Sequence, residues 1–217
     1  MDIRRSRISS EQQGGNSVVF KNFCSSLIAV LVVNGCATSG VGSDFPAQDF
    51  EKLYQEFEGR AAALRETYPE YPKVGTTYLS FDPDHKFQVT YYENETRSWL
   101  WYGGNDIALP SEWKVEERDI GEHGTPLSGE ARTQICWKYG SNTYNPSTGN
   151  TGGKFQCTVL INALQITVSS LDGDVFNLSS GEVPYSRQKC DAPDDFVIQT
   201  ENTLFGIKGA DDCLKGE

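Results

Sequence analysis

The sequence predicts a mainly β fold: an antiparallel meander of about eight short strands forming a small barrel or sandwich, preceded by one amphipathic helix and fastened by two disulfides. Three observations carry that expectation. Between Pro46 and Thr67 apolar residues return at three- and four-residue steps. Beyond Gly75 they return at every second residue. Four cysteines, Cys136, Cys157, Cys190 and Cys213, fall in the second half of the chain.

The chain of 217 residues is 37% hydrophobic, enough for one ordinary core, and its net charge is -11. That charge argues against nucleic acid or an anionic membrane surface as the main partner and suits a basic protein, such as a lysozyme-like enzyme.

Residues 1–35 stand apart from the fold. The run Leu27 to Val33, LIAVLVV, falls far short of the ~20 residues a membrane-spanning helix needs and fits the apolar core of a secretory signal. Arg4, Arg5, Arg7 and Lys21 make its upstream flank net positive against Asp2 and Glu11. The polar stretch before Val18 is long for such a flank, which suits translation starting at Val18 or Val19. After the run come Val33-Asn34-Gly35-Cys36 and then Ala37-Thr38-Ser39-Gly40. This resembles the lipobox of bacterial lipoproteins, with an aliphatic residue three before the cysteine, a small one just before it and a polar tether after it. Asn34 departs from the small residue usual at its position. The resemblance implies that residues 1–35 are removed as a signal peptide, that Cys36 is acylated, and that residues 36–45 tether the fold to a membrane. Acyl chains contributing ~0.8 kcal/mol per buried methylene would hold the protein there permanently. Ala37, rather than an aspartate, implies an outer-membrane lipoprotein facing the periplasm.

The helix is expected within residues 46–72. Phe50, Leu53, Tyr54, Phe57, Ala61 and Leu64 form its apolar stripe, Pro46 suits its first turn, and Pro69 and Pro72 end it. Residues 73–189 carry the strands: TTYLSF, KFQVTYY, RSWLWYG, SEWKVEE, TQICWKYG, GKFQCTVLI, ALQITVSS and DVFNLSS, with FDPDHK, YGGND and LDGD as turns. The excursion from Gly140 to Gly153 has almost nothing to bury and reads as an exposed loop, with Tyr144 at its middle placed to meet a partner. Residues 190–217 read as an acidic tail pinned by a disulfide. Four cysteines allow three pairings. The sequential one, Cys136 with Cys157 and Cys190 with Cys213, is favoured by its two similar intervals. A zinc site is not expected, since no C-x-x-C occurs and both histidines lie far from the cysteines in sequence.

Gly75-Thr76, Trp113-Lys114-Val115, Ile135-Cys136-Trp137, Cys157 and Asp172-Gly173-Asp174-Val175-Phe176 together resemble a group of small exported proteobacterial proteins of unknown function. The resemblance implies a disulfide-bonded β domain and brings no activity.

The common hydrolase and nucleotide motifs do not occur: no G-x-S-x-G, no H-E-x-x-H, no Walker loop and no G-x-G-x-x-G after a strand. His85 and His123 both sit among turn residues and read as surface histidines; Asp82 and Asp84 around Pro83, and Asp172 and Asp174 around Gly173, read as turns. No catalytic residue, metal ligand or cofactor is assigned. The aromatic residues are more telling. Alternation places Trp99, Trp101, Trp113 and Trp137 on inward faces, with Tyr92, Leu100 and Tyr102 outward. If the barrel leaves a cavity, Trp99, Trp101 and Trp137 line it for a small apolar or sugar-like ligand. The expected function is a non-catalytic, lipid-anchored envelope protein binding a protein or small ligand. The alternatives are a purely structural envelope lipoprotein and an enzyme acting on cell-wall glycan or peptide.

Overall fold

The computed structural model describes residues 47–82, 84–121, 124, 126, 127, 129–145, 148–206 and 213, with residues 47–51, 53 and 54 described by their backbone alone. The signal segment 1–35, Cys36 with the 36–45 tether, and His123 lie outside the described residues.

Helix α1 runs Ala47–Thr67. Its last turns bury Ala61 and Leu64, and Tyr68 just beyond its end is buried too; these are the residues whose spacing keeps one stripe facing inward. Seven strands follow: β1 Thr76–Asp82, β2 Lys86–Asn94, β3 Arg97–Tyr102, β4 Leu109–Glu117, β5 Thr133–Tyr139, β6 Gln156–Val159 and β7 Thr167–Asp172. A short helix α2, Leu160–Gln165, separates the last two. All neighbours pair antiparallel, in the order β6-β5-β4-β3-β2-β1-β7.

Two of the hairpins are closed by a turn side chain. Asp82 Oδ1 accepts the backbone N–H groups of Asp84 and His85 at 2.8 and 2.9 Å, and Asn94 Oδ1 accepts those of Thr96 and Arg97, both at 3.0 Å.

The strands form one curled sheet, a half-barrel, and not a sandwich. Its outermost strands, β6 and β7, do not pair with each other. They are joined by the six residues of α2, about 9 Å of helix at 1.5 Å per residue, so the sheet must bend until its edges approach. Three of the expected strands differ: in ALQITVSS, Ala163 to Gln165 belong to α2 and the ladder begins at Thr167. In GKFQCTVLI the ladder stops at Val159 because Leu160 begins α2, which buries Ile161, Ala163 and Leu164 in the mouth of the curl. DVFNLSS forms no strand: Asp174 accepts the N–H groups of Leu178 and Ser179 at 2.7 and 2.9 Å, and Leu178–Ser180 is a 3-10 turn.

Both faces of the central strands are covered. On the concave face Tyr78, Tyr92, Trp113 and Ile135 pack with Ala61 and Leu64 of α1 and Leu164 of α2. On the convex face Leu79, Val89 and Trp101, opposite one another across β1, β2 and β3, pack with Phe176, Leu178, Phe196 and Phe205. The C-terminal segment, expected as a pinned tail, is therefore also a second core layer. Gly103 permits its close approach: a Cβ there would lie 2.5 Å from the Gln188 carbonyl carbon. Phe87 N–H and Gly104 N–H donate to the carbonyls of Lys189 and Arg187 on that same stretch, at 3.0 and 3.1 Å.

The disulfides are Cys136–Cys157 and Cys190–Cys213. Cys136 and Cys157 face each other directly across β5 and β6, closing the base of the 140–153 loop. The second bridge ties the C-terminal segment to itself, and Cys213 packs against the convex core.

Candidate functional site

The concave face holds a half-open cavity of about 210 Å³. Five aromatic residues form its walls: Tyr78 from β1, Tyr92 from β2, Trp137 and Tyr139 from β5, and Tyr71 from the turn after α1. Ser80, Gln88, Thr90 and Thr167 add polar groups, and Leu100, Ala163 and Ile166 add apolar ones, with His85 lining it as well. These positions follow from register. Tyr78 is opposite Thr90 and Ser80 opposite Gln88 in the β1–β2 pair; Tyr92 is opposite Ser98 across β2–β3, and Trp137 opposite Trp113 across β4–β5, so one alternating set of side chains turns into the curl.

The rings meet edge to face. Tyr71 and Tyr78 are 5.0 Å apart at 79°, and Tyr78 and Tyr92 5.8 Å apart at 78°. Their hydroxyls stay neutral. Burial pushes the Tyr71 hydroxyl up to about 12 against the opposing pull of its neighbours Thr167 and Tyr92, and raises those of Tyr92 and Tyr139 further. Thr167 Oγ1 donates to the Ala163 carbonyl at 3.1 Å, and the Tyr78 hydroxyl accepts from Lys73 N–H at 3.0 Å.

His85 lines the cavity from the β1–β2 turn. Its Nδ1 is 3.0 Å from Asp82 Oδ1 and its Nε2 is 3.1 Å from Asn145 Oδ1, in the 140–153 loop. The hydrogen bond to Asp82 raises its pKa, burial opposes that, and Asn145 adds to the rise. Burial would push the Asp82 carboxyl up, but the side chain and N–H of His85 and the N–H of Asp84 outweigh it and hold Asp82 below the ordinary aspartate value. The imidazole is thus held between two acceptors.

The residues expected to share one pocket are divided between the two faces. Trp137 lines the cavity, while Trp99 and Trp101 lie on the convex side. Trp101 is fully buried between Phe176, Tyr185 and Arg187, and Trp99 Nε1 donates to Glu93 Oε2 at 2.8 Å. The expectation that all four tryptophans face one interior is corrected for a physical reason. Alternation fixes which residues of a strand share a face, but β1, β2 and β3 are buried on both faces, so both sets are aromatic. For the same reason Tyr92, expected outward, is buried, and Leu100 lines the cavity. Tyr144 is 62% exposed and bridges to Thr151 within its own loop. The sequence does not single out Tyr71, Tyr78 and Tyr139 as site residues; Tyr139 shares the alternation of Trp137, whereas Tyr71 lies in a turn and carries no periodic signal.

One group among the described residues brings three metal-type ligand atoms within 4.8 Å: Glu116, Cys136 and Cys157. Its two sulfurs are bonded to each other, so neither is a thiolate ligand. Comparison with protein-family models, with curated proteins and with solved structures finds no match in any of the three.

Proposed function

We propose that the chain is a lipid-anchored protein of the bacterial cell envelope whose half-barrel binds a small ligand in its concave cavity. The observation that carries the binding reading is the cavity itself: about 210 Å³ walled by four tyrosines and a tryptophan, with polar groups spaced between them. Such a lining suits a ligand with C–H-rich surface and a few polar groups, either apolar or sugar-like. The lipobox-like stretch ending at Cys36 supports the anchor, and two disulfides suit an oxidising compartment.

Two measurements test the reading. A thermal-shift screen of small apolar and sugar-like compounds should find binders to the wild type that fail to shift a Thr90→Trp variant, whose new ring fills the cavity. Binding that survives the substitution would place the ligand elsewhere, and a screen with no binder would remove the small-ligand reading. For the anchor, metabolic labelling with a fatty-acid probe should mark the wild type and leave Cys36→Ser unlabelled; equal labelling, or none in either, would end the lipoprotein reading.

A further inference from the structure

We propose that this cavity takes one neutral sugar ring, in preference to an apolar or an ionised compound, an inference that rests on the cavity being a ligand site at all. Size sets the first limit. At about 210 Å³ the cavity lies below the ~300–1,000 Å³ of sites for drug-sized ligands, so it holds a single ring and not a chain of them.

Hydrogen-bonding capacity sets the second. Leu100, Ala163 and Ile166 are the apolar side chains of the lining, and every other residue named in it carries a hydroxyl or an N–H group. Gln88 and Thr90 matter most. Both are half-buried on β2, with Gln88 opposite Ser80 and Thr90 opposite Tyr78 across the β1–β2 pair. Among the described residues, neither side chain makes a hydrogen bond within the chain. The Gln88 amide offers two N–H donors and a carbonyl acceptor, and the Thr90 hydroxyl both donates and accepts. A hydrocarbon seated on these groups would strip their water and replace none of its hydrogen bonds. A hydroxylated ring answers them in kind, since each of its hydroxyls donates and accepts. Its C–H faces then meet the aromatic side chains of Tyr78, Tyr92 and Trp137.

Charge sets the third. Among the described residues no lysine, arginine, aspartate or glutamate lines the cavity, and His85 is the one lining side chain that titrates near neutral pH. Both of its ring nitrogens are already engaged, Nδ1 by the Asp82 carboxylate at 3.0 Å and Nε2 by Asn145 Oδ1 at 3.1 Å. Its charge is therefore answered within the chain and not left over for a ligand. A carboxylate or an ammonium group on the ligand would lose its water opposite no unpaired counter-charge.

The test is a ligand-observed NMR titration of the full chain. Its probes are the neutral sugars glucose, galactose, mannose and N-acetylglucosamine, the charged sugars glucuronate and glucosamine, and cyclohexanol as a mostly apolar ring. At least one neutral sugar should bind, with both charged sugars and cyclohexanol about tenfold weaker or more. Gln88→Leu, which removes the amide at similar size, should weaken that sugar about tenfold and leave cyclohexanol no weaker, and Thr90→Trp should abolish both. Far-UV circular dichroism identifies a variant that fails to fold, in which case the wild-type panel decides alone. Cyclohexanol binding as tightly as the best neutral sugar, or that sugar binding a folded Gln88→Leu chain unchanged, would overturn the hydrogen-bonding argument. A charged sugar binding as tightly would overturn the neutral one. Either result leaves the cavity as a ligand site if Thr90→Trp abolishes the binding. If no neutral sugar binds the folded wild type, the inference is lost, and the cavity reading then stands or falls on apolar compounds in the thermal-shift screen.

Discussion

His85 Nε2 lies 3.1 Å from Asn145 Oδ1, so the β1–β2 turn is tied to the tip of a loop sixty residues further along the chain. Asn145 Oδ1 also accepts Thr148 N–H at 3.3 Å, which fixes the amide with its oxygen toward the ring. The other ring nitrogen faces the Asp82 carboxylate. Both nitrogens thus face acceptors, which favours the imidazolium more than in a free histidine. The charged or titratable neighbours are Asp82, Asp84, Lys189 beyond the Asp84 carbonyl, and Tyr102, whose ring stands edge-on at 6.3 Å.

A raised histidine pKa stabilises the fold fully below the unfolded value, near 6.5, and that contribution is lost as pH rises through the folded value. The urea midpoint of the wild type should therefore fall as pH climbs from below 6.5 through the elevated His85 pKa. In His85→Gln that step should disappear. Asp82 acts in the opposite window: its lowered pKa gives stability above 3.8 that vanishes as pH falls through its folded value. A His85→Gln chain with an unchanged slope above pH 6.5 would refute the assignment.

Two glycines should respond to alanine with opposite signs. At Gly103 a new Cβ would meet backbone atoms of Gln188 and Lys189, both at 2.5 Å, so Gly103→Ala must push the C-terminal segment off the sheet, at about 1–3 kcal/mol. At Gly59, inside α1, nothing lies within 4 Å of the added methyl group, and Gly59→Ala should stabilise by roughly 0.5–1 kcal/mol through helix propensity. Chemical denaturation of the two variants beside the wild type measures both.

The C-terminal segment makes a sharper contrast within nine residues. Phe205 is buried, 4.7 Å from Phe81 and 5.6 Å from Phe87, whereas Val197 is 81% exposed. Phe205→Ala should cost about 3–5 kcal/mol, and Val197→Ala should stay within about 0.5 kcal/mol. If Phe205→Ala unfolds at the wild-type midpoint, the segment is an ornament and not a core layer.

Much of this architecture was legible in period and punctuation. The 3.6-residue stripe ending in Ala61 and Leu64 marked the helix, and the alternation in KFQVTYY, RSWLWYG, SEWKVEE and TQICWKYG marked β2 to β5. What failed were segments whose pattern fits two structures. LINALQ is apolar enough to extend β6, yet the chain must cross from β6 to β7 at the two edges of the curled sheet, and a helix of under two turns makes that crossing. The site failed for a different reason. A sheet covered on both faces writes aromatic residues at odd and even positions alike, so Trp101 and Tyr92, which alternation reads as inward and outward, are both buried, in opposite cores. The cover on the convex face comes from Phe176, Phe196 and Phe205, scattered singly among Asp, Gly and Pro, where no period announces them.

Arg187 shows how that convex layer is held. Its guanidinium is buried 4.6 Å over the Trp101 ring and donates to the carbonyls of Trp101 and Asp191, both at 2.8 Å, with no carboxylate among the described residues hydrogen-bonded to it. Burial lowers its pKa to about 10, which still leaves it charged at neutral pH. The two carbonyls lie on different segments, one ending β3 and one beside Cys190, and only a planar fork can reach both while stacking on the indole. Arg187→Lys keeps the charge but loses the fork and the stacking, so it should cost about 1–3 kcal/mol as one carbonyl goes unpaired. Arg187→Met keeps the apolar stem and removes the buried charge, yet it leaves both carbonyls bare and should cost at least as much. Urea unfolding of the two variants decides the matter: if lysine matches the wild type, a point charge suffices there and the fork contributes nothing.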